Sequence, residues 1–142
     1  MKAFTDIEQS EKLAEILPIE SADMWWAERY EGHTTMDYQY VLKETPYYYL
    51  SLKKPSIDNY SQDAINDIPC WSLAALLEQL DDEITDEDGN DYNLTIVKEN
   101  LQYQLYYHDS WGQVEDIETD YYDDLVDACY EMILKLHEVN LL

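Results

Sequence analysis

The chain has 142 residues and a formal net charge of −24 at pH 7, with 32 acidic residues against 8 lysines and arginines. Its length suits one domain, and its 46% apolar content with 14 tyrosines and 4 tryptophans favours a packed core over the disorder that such a charge alone would indicate. So few basic residues argue against direct binding to nucleic acid, because they cannot build a phosphate-binding surface.

No apolar run is long enough for a secretory signal near the first residue or for a membrane-spanning helix anywhere in the sequence. We therefore expect a cytoplasmic protein that does not associate with a membrane. In that compartment Cys70 and Cys129 should stay reduced.

The first half predicts one helix and three strands. Thr5 and Glu8 have the spacing of a capping box, apolar residues follow at helical intervals, and Pro18 ends this helix. Alternation of period two then predicts strands in MWWAERY from Met24, MDYQYVLK from Met36 and YYYLSLK from Tyr47. Residues 55–69 contain two prolines and predict a long connection, with one helical turn near residues 62–65.

The second half predicts a helix, a hairpin and a helix. PCWSLAALLEQL places leucines at helical spacing behind Ser72, a favourable N-cap. YNLTIVKENLQYQLYYH alternates on both sides of Glu99-Asn100, which predicts a β-hairpin turning at that dipeptide. DLVDACYEMILKLHE carries an apolar stripe from Leu125 to Leu136 that includes Cys129, and it predicts the last helix.

This order of elements indicates the α+β class. We expect a single domain over residues 1–142, in which an antiparallel sheet of about five strands packs against three helices. The short hairpin connection argues against a parallel sheet, which needs long crossovers.

Four blocks of the sequence, LPIE, ESADMWW, PCWSLAALLEQL and DACYEMILKLHE, resemble a family of small acidic proteins from gut-bacterial genomes, often near mobile elements. The blocks are spread over most of the chain but leave out its middle and its most acidic segment. No activity is associated with this family, so the resemblance implies no catalytic residue.

Negative charge is concentrated in the second half, where residues 71–142 carry nineteen acids and two bases. One segment is LDDEITDEDGND, residues 80–91, which we call the acidic loop. The other is EDIETDYYDDLVD, residues 115–127, with seven acids. If the last helix begins near Thr119, five carboxylates from Asp120 to Glu131 would span about 16 Å of helix, a spacing close to that of phosphates along a DNA strand.

The acidic loop does not have the register of an EF-hand. With Gly89 at the sixth position, Ile84 and Thr95 would occupy ligand positions that require carboxylates. A looser Ca²⁺ or Mg²⁺ site formed by loop oxygens stays an alternative, and so does a solvated turn.

The sequence patterns that could indicate a catalytic site are even less specific than the pattern for a metal site. A carboxylate pair with Trp25, Trp26 or Trp111 stacked on a sugar would suit glycoside hydrolysis, but 32 acids single out no pair. Cys129 and His137 would lie about 12 Å apart along one helix, too far to share a proton. The three histidines have no zinc-binding spacing. We therefore predict no catalytic residue, no metal and no cofactor.

The charge instead favours a non-enzymatic protein that binds a basic protein surface. The most specific hypothesis is a DNA mimic that inhibits a nucleic-acid-binding protein. The alternatives are a small carboxylate-dependent hydrolase and a homo-oligomeric structural module joined through Tyr-rich strands. The predicted binding residues are Asp81, Asp82, Glu83, Asp86, Glu87, Asp88, Asp120, Asp123, Asp124 and Asp127.

Overall fold

The computed structural model describes residues 1–29, 47–52 and 67–142. Three α-helices, a 3₁₀ turn (Ile19–Ser21) and seven strands lie in these ranges. They are α1 (Ile7–Ala14), β1 (Met24–Arg29), β2 (Tyr47–Ser51), β3 (Ile68–Cys70), α2 (Leu73–Glu78), β4 (Glu83–Thr85), β5 (Asp91–Glu99), β6 (Gln102–Asp109), β7 (Ile117–Glu118) and α3 (Leu125–Glu138). The predicted α+β class is confirmed.

The described strands form two antiparallel sheets rather than one sheet of about five strands. The first has the order β2-β1-β3, and the second has the order β4-β5-β6-β7. The predicted strand from Met36 and the helical turn near residues 62–65 lie outside the described residues. The end of the predicted connection 55–69 belongs to β3, which pairs with β1. None of the described helices is long and apolar enough to cross a membrane.

The β5–β6 hairpin is confirmed, but its turn lies one residue later than predicted. Glu99 pairs with Gln102, so Asn100 and Leu101 form a two-residue turn. Both have positive φ, 51° and 65°, which is the type I′ geometry that matches the twist of a hairpin. A type I′ turn requires two residues in the left-handed region, and its position sets the register of β5 and β6. Leu101 is an unusual residue for such a position.

The capping box of α1 also lies one residue later than Thr5 and Glu8. Asp6 accepts from the backbone of Gln9 at 2.9 Å, and the Gln9 side chain accepts from the Asp6 backbone at 3.2 Å. Thr5 is buried, and its hydroxyl accepts from the Trp71 backbone at 3.1 Å and bonds Ser10 at 2.7 Å. The predicted Ser72 cap of α2 is confirmed.

The main core lies between the helices and one face of the second sheet. The predicted stripe of α3 is buried at Ala128, Cys129, Met132, Ile133 and Leu136, and it packs with leucines of α1 and α2 and with side chains of β5 and β6. Burial raises the pKa of the Cys129 thiol to about 12, so this cysteine is a protonated packing residue.

The contact between Thr5 and Trp71 yields a stability prediction. In Thr5→Val the buried Trp71 N–H loses its acceptor while the side-chain volume is kept, so the free energy of unfolding should fall by about 1–3 kcal/mol. Urea unfolding followed by tryptophan fluorescence measures this change. Thr95→Val is the matched control, because the Thr95 hydroxyl on β5 bonds no residue that the structure describes. Equal midpoints for both variants would contradict the prediction.

Candidate binding surface

The acidic loop is ordered by hydrogen bonds from the core and the sheet. The Tyr107 hydroxyl donates to the Asp81 carbonyl at 2.6 Å, and the Leu94 backbone donates to the Asp82 carbonyl at 2.9 Å. Residues 83–85 form β4, which pairs with the beginning of β5. The loop is therefore not a plain solvated turn. β4 could not be predicted from the sequence, because three residues in an acidic context carry too little alternation.

The carboxylate of Asp86 holds the tip of the acidic loop from within. It accepts from the backbone N–H groups of Asp88 at 3.0 Å and Asn90 at 2.9 Å, from the Asn90 amide, and from the Tyr92 hydroxyl at 3.1 Å. The Asn90 side chain and the other donors lower the pKa of Asp86. Gly89, with φ of 81°, supplies the left-handed residue of this turn.

These contacts change the predicted role of Asp86 from an outward binding group to a structural one. Its two oxygens face N–H and O–H hydrogens, which a cation at this position would have to displace. The part of the chain that the structure describes contains no group of three or more His, Cys, Asp or Glu side chains that could hold a metal ion.

A second loop, residues 110–116, is organised in the same way by Asp109, and we call it the Trp111 loop. The Asp109 side chain is fully buried and accepts from the backbone N–H groups of Trp111 at 3.1 Å, Gln113 at 2.6 Å and Val114 at 3.0 Å. These bonds, with that of Trp111 first, lower the pKa of Asp109 and keep it ionised. The loop holds Trp111 with 77% of its surface exposed.

The two loops lie at the same end of the second sheet. Tyr92 pairs with Asp109 across β5 and β6. The Ser110 backbone donates to the Asp91 carbonyl at 3.1 Å, and the Asn93 amide donates to the Ser110 hydroxyl at 2.6 Å. We call this region, residues 86–90 together with the Trp111 loop, the acidic end.

The acidic end carries exposed carboxylates with no neutralising partner among the described residues. Segments 55–97 and 99–134 contain no lysine or arginine. The carboxylates that are exposed there and bond no described residue are those of Glu87, Asp88 and Glu115. From the sequence, the only role predicted for Trp111 was stacking on a sugar. The signal that could have found its loop is Asp-Ser-Trp-Gly, with Asp and Gly at the first and fourth positions of a turn.

The predicted binding residues Asp123, Asp124 and Asp127 lie at the other end of the hairpin and have a different role. The Asp123 carboxylate accepts from Gln102, that of Asp124 accepts from the Lys2 backbone, and that of Asp127 accepts from the Lys2 ammonium at 2.8 Å and from Gln9. The bonds from Lys2 and Gln9 fasten the N-terminal segment to the beginning of α3. β6 spans roughly 23 Å between the two ends at about 3.3 Å per residue, so the ten predicted residues do not form one surface.

The expected row of helical carboxylates from Asp120 to Glu131 is wrong, because α3 begins at Leu125. The backbone of Thr119 is bonded to Leu105, and Tyr122 exchanges two hydrogen bonds with Tyr103, at 2.7 and 2.8 Å. These bonds to β6 keep the segment extended. Of the ten predicted residues, those that are exposed and bond no described residue through their side chains are Asp81, Asp82, Glu83, Glu87, Asp88 and Asp120.

One His–Asp pair lies on the face of the second sheet opposite the main core. His108 Nδ1 is 2.9 Å from Asp116, beside a shallow depression of about 360 Å³ lined by Gln104, Tyr106 and Glu118. No serine or cysteine is among the described residues that line it. The adjacent Asp109 and Ser110 do not form a triad with His108, because Asp109 is bonded to its own loop.

Comparisons with protein-family models, with curated proteins and with solved structures give no match to this chain. The resemblance to a family of gut-bacterial proteins therefore stays a prediction.

The role of Asp109 can be tested by hydrogen exchange. Asp109→Asn leaves one acceptor oxygen for three backbone donors, so exchange at Gln113 or Val114 should accelerate about tenfold or more, since hydrogen bonds to a charged group are lost. Glu115→Gln in the same loop is the matched control, because the Glu115 side chain bonds no described residue. Unchanged protection at all three amides in Asp109→Asn would refute the assignment.

The lowered pKa of Asp109 also gives a pH prediction. Its stabilising contribution should be complete above the ordinary carboxyl value of 3.8 and should disappear as the pH falls through the lower pKa of the folded protein. The amide shift of Gln113 should therefore titrate with a midpoint below 3.8. The difference in unfolding free energy between wild type and Asp109→Asn should shrink over the same interval. A midpoint at or above 3.8 would show that the loop does not stabilise the carboxylate.

Proposed function

We propose that the protein is a non-enzymatic binding protein whose acidic end docks onto a basic surface of another protein. The observation that carries this proposal is the pairing of two ordered loops at one sheet end. Each loop is held from within by one carboxylate, and together they present an exposed tryptophan beside carboxylates with no described partner.

Trp111 has the properties of an interface anchor. Tryptophan dominates binding energy at many protein interfaces, since it buries a large area with few rotatable bonds. On a mobile loop an exposed tryptophan would lose much of that advantage, because ordering the loop on binding costs conformational entropy. The three hydrogen bonds to Asp109 remove much of this cost before any partner arrives.

The carboxylates determine which charge the surface of a partner should carry. With no lysine or arginine in residues 55–97 or 99–134, the acidic end should attract a basic surface and accelerate encounter with it. Self-association through this end is opposed, because it would bring two surfaces of the same charge together.

A nucleic-acid-binding protein is the partner class that we propose, since its groove is built to receive negative charge. The DNA-mimic hypothesis no longer draws support from a helical row of charges, because that row is absent. Its support is the density of carboxylates with no described partner at the acidic end and along residues 81–83. Such a mimic would release the counterions that phosphates release, so its binding should weaken steeply with salt.

Capture from a lysate of the source organism, with nuclease present, tests the proposal. Trp111→Ala should weaken retention of the partner about thirtyfold, the value of a strong interface anchor. Glu87→Lys with Asp88→Lys should slow association and reduce the salt dependence of binding. Glu11→Lys with Glu20→Lys is the charge-matched control outside the acidic end, and it should bind more nearly as wild type does.

The outcome separates three cases. Loss of binding in both acidic-end variants, together with displacement of the partner by duplex DNA, supports the mimic. The same losses without displacement support a basic protein surface of another kind. Equal retention by wild type, acidic-end variants and control would refute docking through the acidic end, and sedimentation would then show whether the chain binds only itself.

A further inference from the structure

A cleft of about 390 Å³ opens where the C-terminal ends of all three described helices approach the acidic loop. The segment after α1 contributes Leu17, and the end of α2 contributes Glu78. The acidic loop contributes Asp81 and Ile84, and α3 contributes Leu136. Its volume lies in the range of pockets that bind small ligands or single anchoring groups.

The floor of the cleft is apolar and continuous with the core. Leu17, Ile84 and Leu136 are all nearly buried and belong to the main hydrophobic cluster. Leu141, which follows α3, lines the same cleft and packs against that cluster. An apolar group seated in the cleft would therefore extend the core rather than rest on a polar surface.

The rim of the cleft is negative. Glu78 and Asp81 are exposed, and their carboxylates bond no residue that the structure describes. No lysine, arginine or histidine is among the described residues that line the cleft. The three helices end near it with their C-termini, where the backbone carbonyls carry the negative end of the helix dipole. The negative rim and the apolar floor together favour a ligand group that has an apolar tip and a positive charge next to it.

We infer that this cleft receives an apolar side chain of a partner protein at a position next to a lysine or arginine. This inference rests on the proposed function, because it assigns a second anchor to the same basic partner. Ile84 pairs with Tyr92, which pairs with Asp109, so the cleft lies at the same end of the second sheet as the Trp111 loop. A partner segment in the cleft would place its basic residues against Asp81 and the rest of the acidic loop.

A capped seven-residue peptide with the central sequence Arg-Leu-Arg between Gly-Ser segments is a direct probe, titrated against the ¹⁵N-labelled protein. We expect shifts centred on the amides of Ile84, Leu136 and Leu141. Replacing the peptide leucine by serine should weaken binding about tenfold, since a buried apolar side chain then becomes polar. Glu78→Lys with Asp81→Lys should weaken it at least as much.

The matched control is Glu118→Lys with Asp120→Lys, which makes the same change of charge at β7, the strand at the opposite edge of the second sheet from β4, and should weaken peptide binding less than threefold. All four positions are exposed, so thermal melts should show that both variants stay folded. Equal weakening in both variants, or equal binding of the leucine and serine peptides, would reduce the effect to general charge attraction and overturn the cleft assignment. So would the absence of shifts in the wild-type protein.

A second comparison separates this inference from the proposed function. If the captured partner is lost in Trp111→Ala but kept in Glu78→Lys with Asp81→Lys, docking through the acidic end stands and the cleft anchor is wrong. If butylamine alone moves the same amides as strongly as the peptide does, the cleft is a site for small amines and not for a protein segment. Partner loss in both variants, with leucine-dependent peptide binding, supports both proposals.

Discussion

The hydroxyl groups of Tyr92 and Tyr107 connect the hydrophobic core to the most acidic segment of the chain. Both rings are buried, yet each hydroxyl donates to the acidic loop, to Asp86 and to the Asp81 carbonyl. Burial raises the pKa of Tyr107 and keeps its hydroxyl protonated, so it remains a donor. A phenylalanine would fill the same space without this bond. The tyrosines therefore let a chain with a charge of −24 fold an acidic segment against its own core.

The carboxylates that the structure describes divide into three groups according to what they face. Asp86 and Asp109 point inward at backbone N–H groups and act as the centres of two turns. Asp127 is joined to Lys2, which also contacts Asp6, so this part of the charge fastens the N-terminal segment to α3. The third group is the exposed carboxylates of the acidic loop and the Trp111 loop, whose backbone these inward bonds hold in place. A loop fixed by one inward carboxylate holds its other acidic side chains in positions that a partner can recognise.

Sequence periodicity was sufficient for the long elements and insufficient for the short ones. The α3 stripe and the β5–β6 alternation each extend over enough residues to fix their type. β3, β4 and β7 have two or three residues each, and they are strands only because a neighbour supplies the hydrogen bonds. The segment DLVDACYEMILKLHE was predicted correctly as α3, but the assumption that the helix begins near Thr119 was wrong, since an acidic first turn resembles an extended acidic segment in sequence. The inward roles of Asp86 and Asp109 were invisible, because an aspartate facing solvent and one facing backbone donors are the same letter.

Because the net charge is large, added salt should change the stability of the free protein and the strength of the proposed binding in opposite directions. In the free protein the carboxylates repel one another, so added salt screens this repulsion and should favour the compact state. In a complex with a basic surface the same carboxylates are attracted to the partner, and added salt weakens that attraction. Binding would also relieve the repulsion, because positive charges of the partner would neutralise the carboxylates. A partner that binds only the folded state would stabilise that state. The acidic end combines negative charge with an exposed tryptophan and lies beside an apolar cleft. The charge would attract the partner during encounter, and the apolar contacts would stabilise the complex even where salt screens the charge.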